Sequence, residues 1–164
     1  MADHGEDSSR VPSNDEVEAA RGRWEELTGA HGQDDDRAVA AAEHLALLHY
    51  ARRETAAALP LMRLVTRARP AALGSRRLLS TLLRRSGNYE EALVEHGQVV
   101  AATVAESGAE SRAALASKYN HAMLLREAGD VDSATRLFTE VAQQATRALG
   151  PDDVVTQAAR DQAG

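Results

Sequence analysis

The sequence has no cysteine, which excludes disulfide scaffolds and cysteine-based zinc sites and is compatible with a reducing cytoplasm. Proline is sparse, with four residues in 164, and β-branched stretches are few; helices are therefore favoured almost everywhere and no strand is expected. Aromatic residues make up 3% of the chain, too few for the stacking platforms of a single-strand nucleic-acid binder. Lysine is nearly absent: Lys118 stands alone among nineteen Lys and Arg residues, a bias expected of a GC-rich genome that says nothing of mechanism. No apolar run approaches a membrane span, and the opening MADHGEDSSRVPSNDE has acids where a signal peptide needs basic and then apolar residues. A soluble, cytoplasmic protein with one core of ordinary size is the expectation.

What charge there is falls unevenly. Residues 1–50 carry twelve acids and four arginines, residues 51–86 nine arginines against Glu54 alone, and residues 87–164 twelve acids against six bases. A basic middle between acidic flanks either steers an acidic partner or pairs with neighbouring layers.

Residues 1–12 are polar and lack periodicity, and are read as a disordered tail. Ser13 with Glu16 matches a capping box, so a leading helix is predicted over 14–28, with Val17, Ala20, Trp24 and Leu27 on one stripe and Trp24 as its packing anchor. The stretch GAHGQDDD ends it, and its aspartates suit the positive start of the next helix. A break near Arg53 to Thr55 makes Pro60 a first-turn residue of a further helix that ends before Pro70. Gly87 and Gly129 each stop a helix, and Asn88 with Glu91 forms the next capping signal. Connections this short make antiparallel hairpins, expected at about 37–69, 72–107 and 110–149, with a final helix at 152–162.

The segments LLRRSGNYEEAL and LLREAGDVDSAT superpose at an offset of 42: Leu82 on Leu124, Arg84 on Arg126, Gly87 on Gly129, Ala92 on Ala134. Ala58 precedes Ala92 by 34 residues and is followed by Met62 and Pro70. In these features the chain resembles a tetratricopeptide repeat (TPR) protein, with a small residue early in the second helix, a large apolar one four later and a closing proline. The 42-residue spacing, the endings ESGAES and ALGPDDVVTQAARD, and Asn120 in YNHAMLLREAGD resemble the kinesin-light-chain type of this repeat. Departures are Arg53 in place of the inter-helix glycine, His96 in place of a large apolar residue, and Arg76 and Lys118 in place of first-helix aromatics. The resemblance implies an all-α, right-handed superhelix of about three hairpins with capping helices, spanning 13–164 as a single repeat domain. Independently of it, hairpins with two apolar faces have to stack, and alanines at the seam let helices approach.

The same resemblance places a concave groove on the first helices, lined by Glu43, Leu47, Tyr50, Arg77, Thr81, Arg84, Tyr119, Asn120, Met123 and Arg126. The spacing of Arg77, Thr81 and Arg84 independently puts those three on one helical face. The groove implies a non-catalytic module that binds a protein or peptide segment, with arginines taking carboxylates and Asn120 meeting backbone; otherwise the arginines are solvated or bridge to Glu43 and Glu127. Family habit also suggests a regulatory module of bacterial signalling or transcription, and exposed end caps would allow self-association into a scaffold. Nucleic acid is disfavoured by the negative net charge and scarce aromatics.

No catalytic constellation is visible, and no metal or cofactor is expected. The six histidines show no ligand spacing, and Asp34, Asp35 and Asp36 lack the alternation and glycine of a calcium loop. His96 reads as a hydrogen-bonded filler at the edge of a core, with a buried ionisable switch as the other reading.

Overall fold

A computed structural model of the chain describes residues 10–164, so most of the expected disordered tail lies outside the described residues. The described part of it is tethered: Arg10 pairs with Glu16 at 3.0 Å, and the Pro12 carbonyl accepts from Arg52 at 3.4 Å. Both halves of the capping box are made, the Ser13 hydroxyl accepting from the Glu16 amide at 3.2 Å and the Glu16 carboxylate from the Ser13 amide at 2.6 Å. Eight helices and no strand follow among the described residues: α1 (Asn14–His31), α2 (Asp36–Ala51), α3 (Thr55–Ala68), α4 (Leu73–Arg85), α5 (Tyr89–Ser107), α6 (Arg112–Glu127), α7 (Val131–Ala148) and α8 (Val154–Ala163). The first helix thus runs three residues past its expected end at Thr28. None of these helices is long and apolar enough to cross a membrane.

The chain divides into two compact units between Arg69 and Pro70. In the first, α1 packs on α2 and α2 on α3; in the second, each of α4 to α7 packs on its successor, and α6 also reaches α8.

Three hairpin corners share one conformation. The amide of residue 53, 87 or 129 bonds to the carbonyl three back, at 3.0, 3.1 and 3.1 Å, and the next amide bonds five back, at 2.9, 2.9 and 3.0 Å. Such a corner needs positive φ, which Gly87 and Gly129 adopt at 79° and 94°; Arg53 is forced to 62°. Replacing Arg53 by glycine is accordingly expected to raise stability by about 0.5–1 kcal/mol, since a left-handed non-glycine residue costs about 1–2 and glycine's extra unfolded freedom returns part of it. Urea denaturation measures it, and a loss of stability would show that the corner is not strained.

A second kind of corner leads into α2, α6 and α8. Gly32, Gly108 and Gly150 have φ of 87°, 88° and 93°. Three residues on, Asp35, Ser111 and Asp153 cap the next helix through side-chain oxygens that accept backbone amides at 2.9, 3.1 and 2.8 Å. By this register α8 stands where a further first helix begins. The link from α3 to α4 has neither device: Ala72 is its N-cap and makes no side-chain bond.

The small residues are where close approach requires them. Ala58, Ala92 and Ala134 are 0%, 0% and 1% exposed, and Met62 and Phe138, four residues after the first and third, are equally buried. The two first-helix bases that replace aromatics find partners on the following helix. Arg76 ion-pairs with Glu95 and also donates to the Pro70 carbonyl at 2.9 Å, while Lys118 donates to Gln144 at 2.9 Å and pairs with Glu140 at 3.7 Å. Two local expectations are corrected. Pro60 lies in the second turn of α3, because that helix starts at Thr55. The Asn88 side chain makes no cap bond; its Nδ2 donates to the Ser86 hydroxyl at 3.0 Å.

Candidate partner-binding site

In the second unit, α4 and α6 face each other across a cavity of about 590 Å³ whose wall includes His96 of α5. Six of the expected site residues line it: Arg77, Thr81 and Arg84 from α4, and Tyr119, Asn120 and Met123 from α6. Helical spacing accounts for both sets, since positions three and four apart share a face. Ser80, Ala113, Ala116, Ser117, Leu124 and Glu127 complete the lining.

The two α4 arginines differ in their surroundings. Arg84 is spent on an ion pair with Glu127, its Nη1 lying 2.9 and 3.2 Å from the two carboxylate oxygens. Arg77 donates to the Thr103 hydroxyl at 3.2 Å and has no carboxylate partner among the described residues. Thr103 in turn donates to the Val99 carbonyl at 2.7 Å, which leaves its oxygen free to accept. Arg77 is therefore a cation held in position without being neutralised.

Arg126 does not line the cavity. Its guanidinium donates to the Gln162 side chain and to the Met123 sulfur at 3.1 Å, and it lies 5.5 Å above the Phe138 ring. It therefore braces α6 against α7 and α8. The other three expected residues belong to α2 of the first unit, where Glu43 accepts from Arg69 at 3.4 Å, Leu47 is 47% exposed and Tyr50 is half-buried. Part of the basic middle of the sequence is paired inside each unit, Arg52 with Glu54, Arg69 with Asp36 and Glu43, Arg76 with Glu95 and Arg84 with Glu127.

Sequence reasoning set aside the cavity's most unusual residue. His96 stacks on His121 of α6, ring centroids 5.5 Å apart and planes 20° from parallel. It is not the hydrogen-bonded filler expected: Nδ1 of both rings is buried without a partner, as is the Ser117 hydroxyl beside them. Burial, and after it the nearby His121 and Arg77, holds the His96 ring down at about 4, below its ordinary 6.5, and burial lowers His121 as well. The detectable signal was His96 itself, a polar residue where Met62 and Phe138 stand in the other hairpins.

The remaining chemistry is structural. Asp35 caps α2, and buried His49 meets the Glu54 carboxylate at 2.6 Å, a contact that holds Glu54 below the usual carboxylate range. Among the described residues no three of His, Asp and Glu gather as a metal site would require.

No family model and no curated protein matches this sequence at a significant level. Solved structures do: a kinesin light chain of nearly identical TPR-like repeats from Podosopora anserina matches with a TM-score of 0.76 at 20% identity, over 91% of this chain and 74% of that one. The fold is that of TPR-like repeats. A variant of the same TPR-like protein gives a TM-score of 0.75 over the same shares. BtubC (BKLC) from P. vanneervenii gives 0.56 at 18% identity, over 90% of this chain and 67% of that one. In TPR-like order α2, α4 and α6 are first helices, and α3, α5 and α7 are second helices.

Proposed function

We propose that this chain is a non-catalytic protein-interaction module whose second unit takes a partner's polypeptide segment in the cavity between α4 and α6. The observation that supports this best is Arg77, a fixed cation without a counter-charge on the wall of that cavity. Around it Thr81, Tyr119 and Asn120 offer hydrogen bonds, Met123 offers adaptable apolar surface, and Arg84 exchanges Glu127 for a partner carboxylate. In the first unit Glu43, Leu47 and Tyr50 of α2 provide the corresponding positions, with exposed Leu47 as the apolar contact. An acidic segment suits this set, and main-chain contacts to Asn120 suit an extended one.

The experiment is affinity purification from the native host, followed by titration of the recovered partner into wild type and into the Arg77→Ala, Arg84→Ala double variant. Loss of two charge-assisted contacts is expected to weaken binding by about tenfold or more, with the salt dependence reduced. Unchanged affinity in the double variant would remove the cavity as the binding site.

A further inference from the structure

Met62, His96 and Phe138 each stand four residues after the buried alanine of a second helix. Met62 and Phe138 fill their places completely, whereas His96 meets His121 across the seam between α5 and α6. That seam is closed by two stacked rings, each with an unpartnered buried Nδ1, next to the cavity. The His121 ring lies over Gly97 of α5, its Cε1 3.9 Å from where a Cβ would stand.

The charges around the stack are one-sided. From α4 the group facing His96 is Arg77, and from α6 it is His121. Glu95, the neighbour in sequence, is held by Arg76, and Glu127 across the cavity is held by Arg84, so neither of these carboxylates is free to answer a proton there. Lys118 of α6 is turned towards Gln144 and Glu140 of α7. A proton on either ring therefore adds positive charge to a partly desolvated space beside Arg77.

We infer that the His96–His121 stack is an acid-operated latch, holding the α5–α6 seam shut at neutral pH and releasing it when a ring is protonated. The latch belongs to the free chain and stands apart from the partner-binding reading. The direction follows from the rings: both are harder to protonate folded than unfolded, so the folded chain binds fewer protons. The His96 contribution to stability is complete above the unfolded value of 6.5 and is lost as the pH falls towards the folded value of about 4, and that of His121 is lost in the same direction.

Hydrogen–deuterium exchange on the full chain, corrected for intrinsic rates, tests this at about pH 7.5 and about pH 4.5. In wild type, amides of α5 and α6 around His96 and His121 are expected to exchange about tenfold faster at the lower pH, within what the linkage permits. In His96→Met, which installs the residue of the equivalent place in the first unit, the acid response of the seam is expected to fall to what His121 alone supplies. His121→Leu provides a second reading should the first variant fold poorly, and is expected to lose most of the response. Equal acid opening in wild type and either folded variant, or a wild-type seam that stays protected at about pH 4.5, would overturn the latch.

Discussion

Phe138→Ala is expected to cost about 3–5 kcal/mol, the largest single-residue loss in the chain. Phe138 is 1% exposed and forms a core cluster with Ala122 and Ala134, against which Tyr119, Met123, Leu125, Leu137 and Ala163 pack. Three helices of the second unit thus meet on one ring. The Tyr119 ring lies 5.4 Å away, tilted by 58°, and the Arg126 guanidinium sits 5.5 Å from the ring centroid, so the truncation also removes an aromatic pair and a cation–π contact. Its neighbours Ala122 and Ala134 have no side-chain reach to fill the void, which argues for the upper part of the range. Chemical denaturation followed by helical circular dichroism measures the loss, and a cost below about 1 kcal/mol would mean that the ring is not in a packed core.

Removing Glu95 is the second large effect, and burial decides its size. The Arg76 and Glu95 side chains are 12% and 17% exposed, whereas those of Arg84 and Glu127 are 44% and 33% exposed. Glu95→Ala leaves the largely buried Arg76 guanidinium with the Pro70 carbonyl on its other arm and no counter-charge from Glu95, and a cost of about 3 kcal/mol is expected. Glu127→Ala, breaking the exposed pair, is expected to cost less than about 1 kcal/mol. A chain carrying Arg76→Phe with Glu95→Ala restores the aromatic usual at that first-helix place and is expected to recover most of the loss, because no buried charge is left unpaired. Thermal or urea unfolding of the three chains checks this; a double variant less stable than Glu95→Ala would contradict it.

Much of the architecture was legible because it is written in residues whose backbone chemistry is local. Gly87 and Gly129 announce corners by needing positive φ, Ser13 and Glu16 satisfy each other within one turn, and Ala92 and Ala134 mark close approach by their size. Arg53 was seen to replace a glycine, yet only the backbone shows that it keeps the glycine's conformation, since the bonds to Tyr50 and His49 hold it there. The second corner, at Gly32, Gly108 and Gly150, was visible only as scattered breaks, because its capping residue alternates between aspartate and serine.

The site was less legible than the fold. Face assignment by spacing brought Arg77, Thr81 and Arg84 together, but spacing does not tell which arginine is neutralised: Glu127 and Thr103 decide that from α6 and α5. Arg126 occupies the same repeat position as Arg84 and is drawn away by Phe138 and Gln162, neither of which is near it in sequence. His96 looked like filler because its surroundings are assembled from α4 and α6, where Arg77 and His121 leave it no acceptor.

The claim on which the functional reading rests is that a partner enters between α4 and α6 of the second unit. Hydrogen–deuterium exchange of this chain with its purified partner tests it most directly. The account predicts new protection over residues 77–84 and 119–127, removed by Arg77→Ala with Arg84→Ala. Protection confined to α7 and α8, with both of those stretches unchanged, would contradict it.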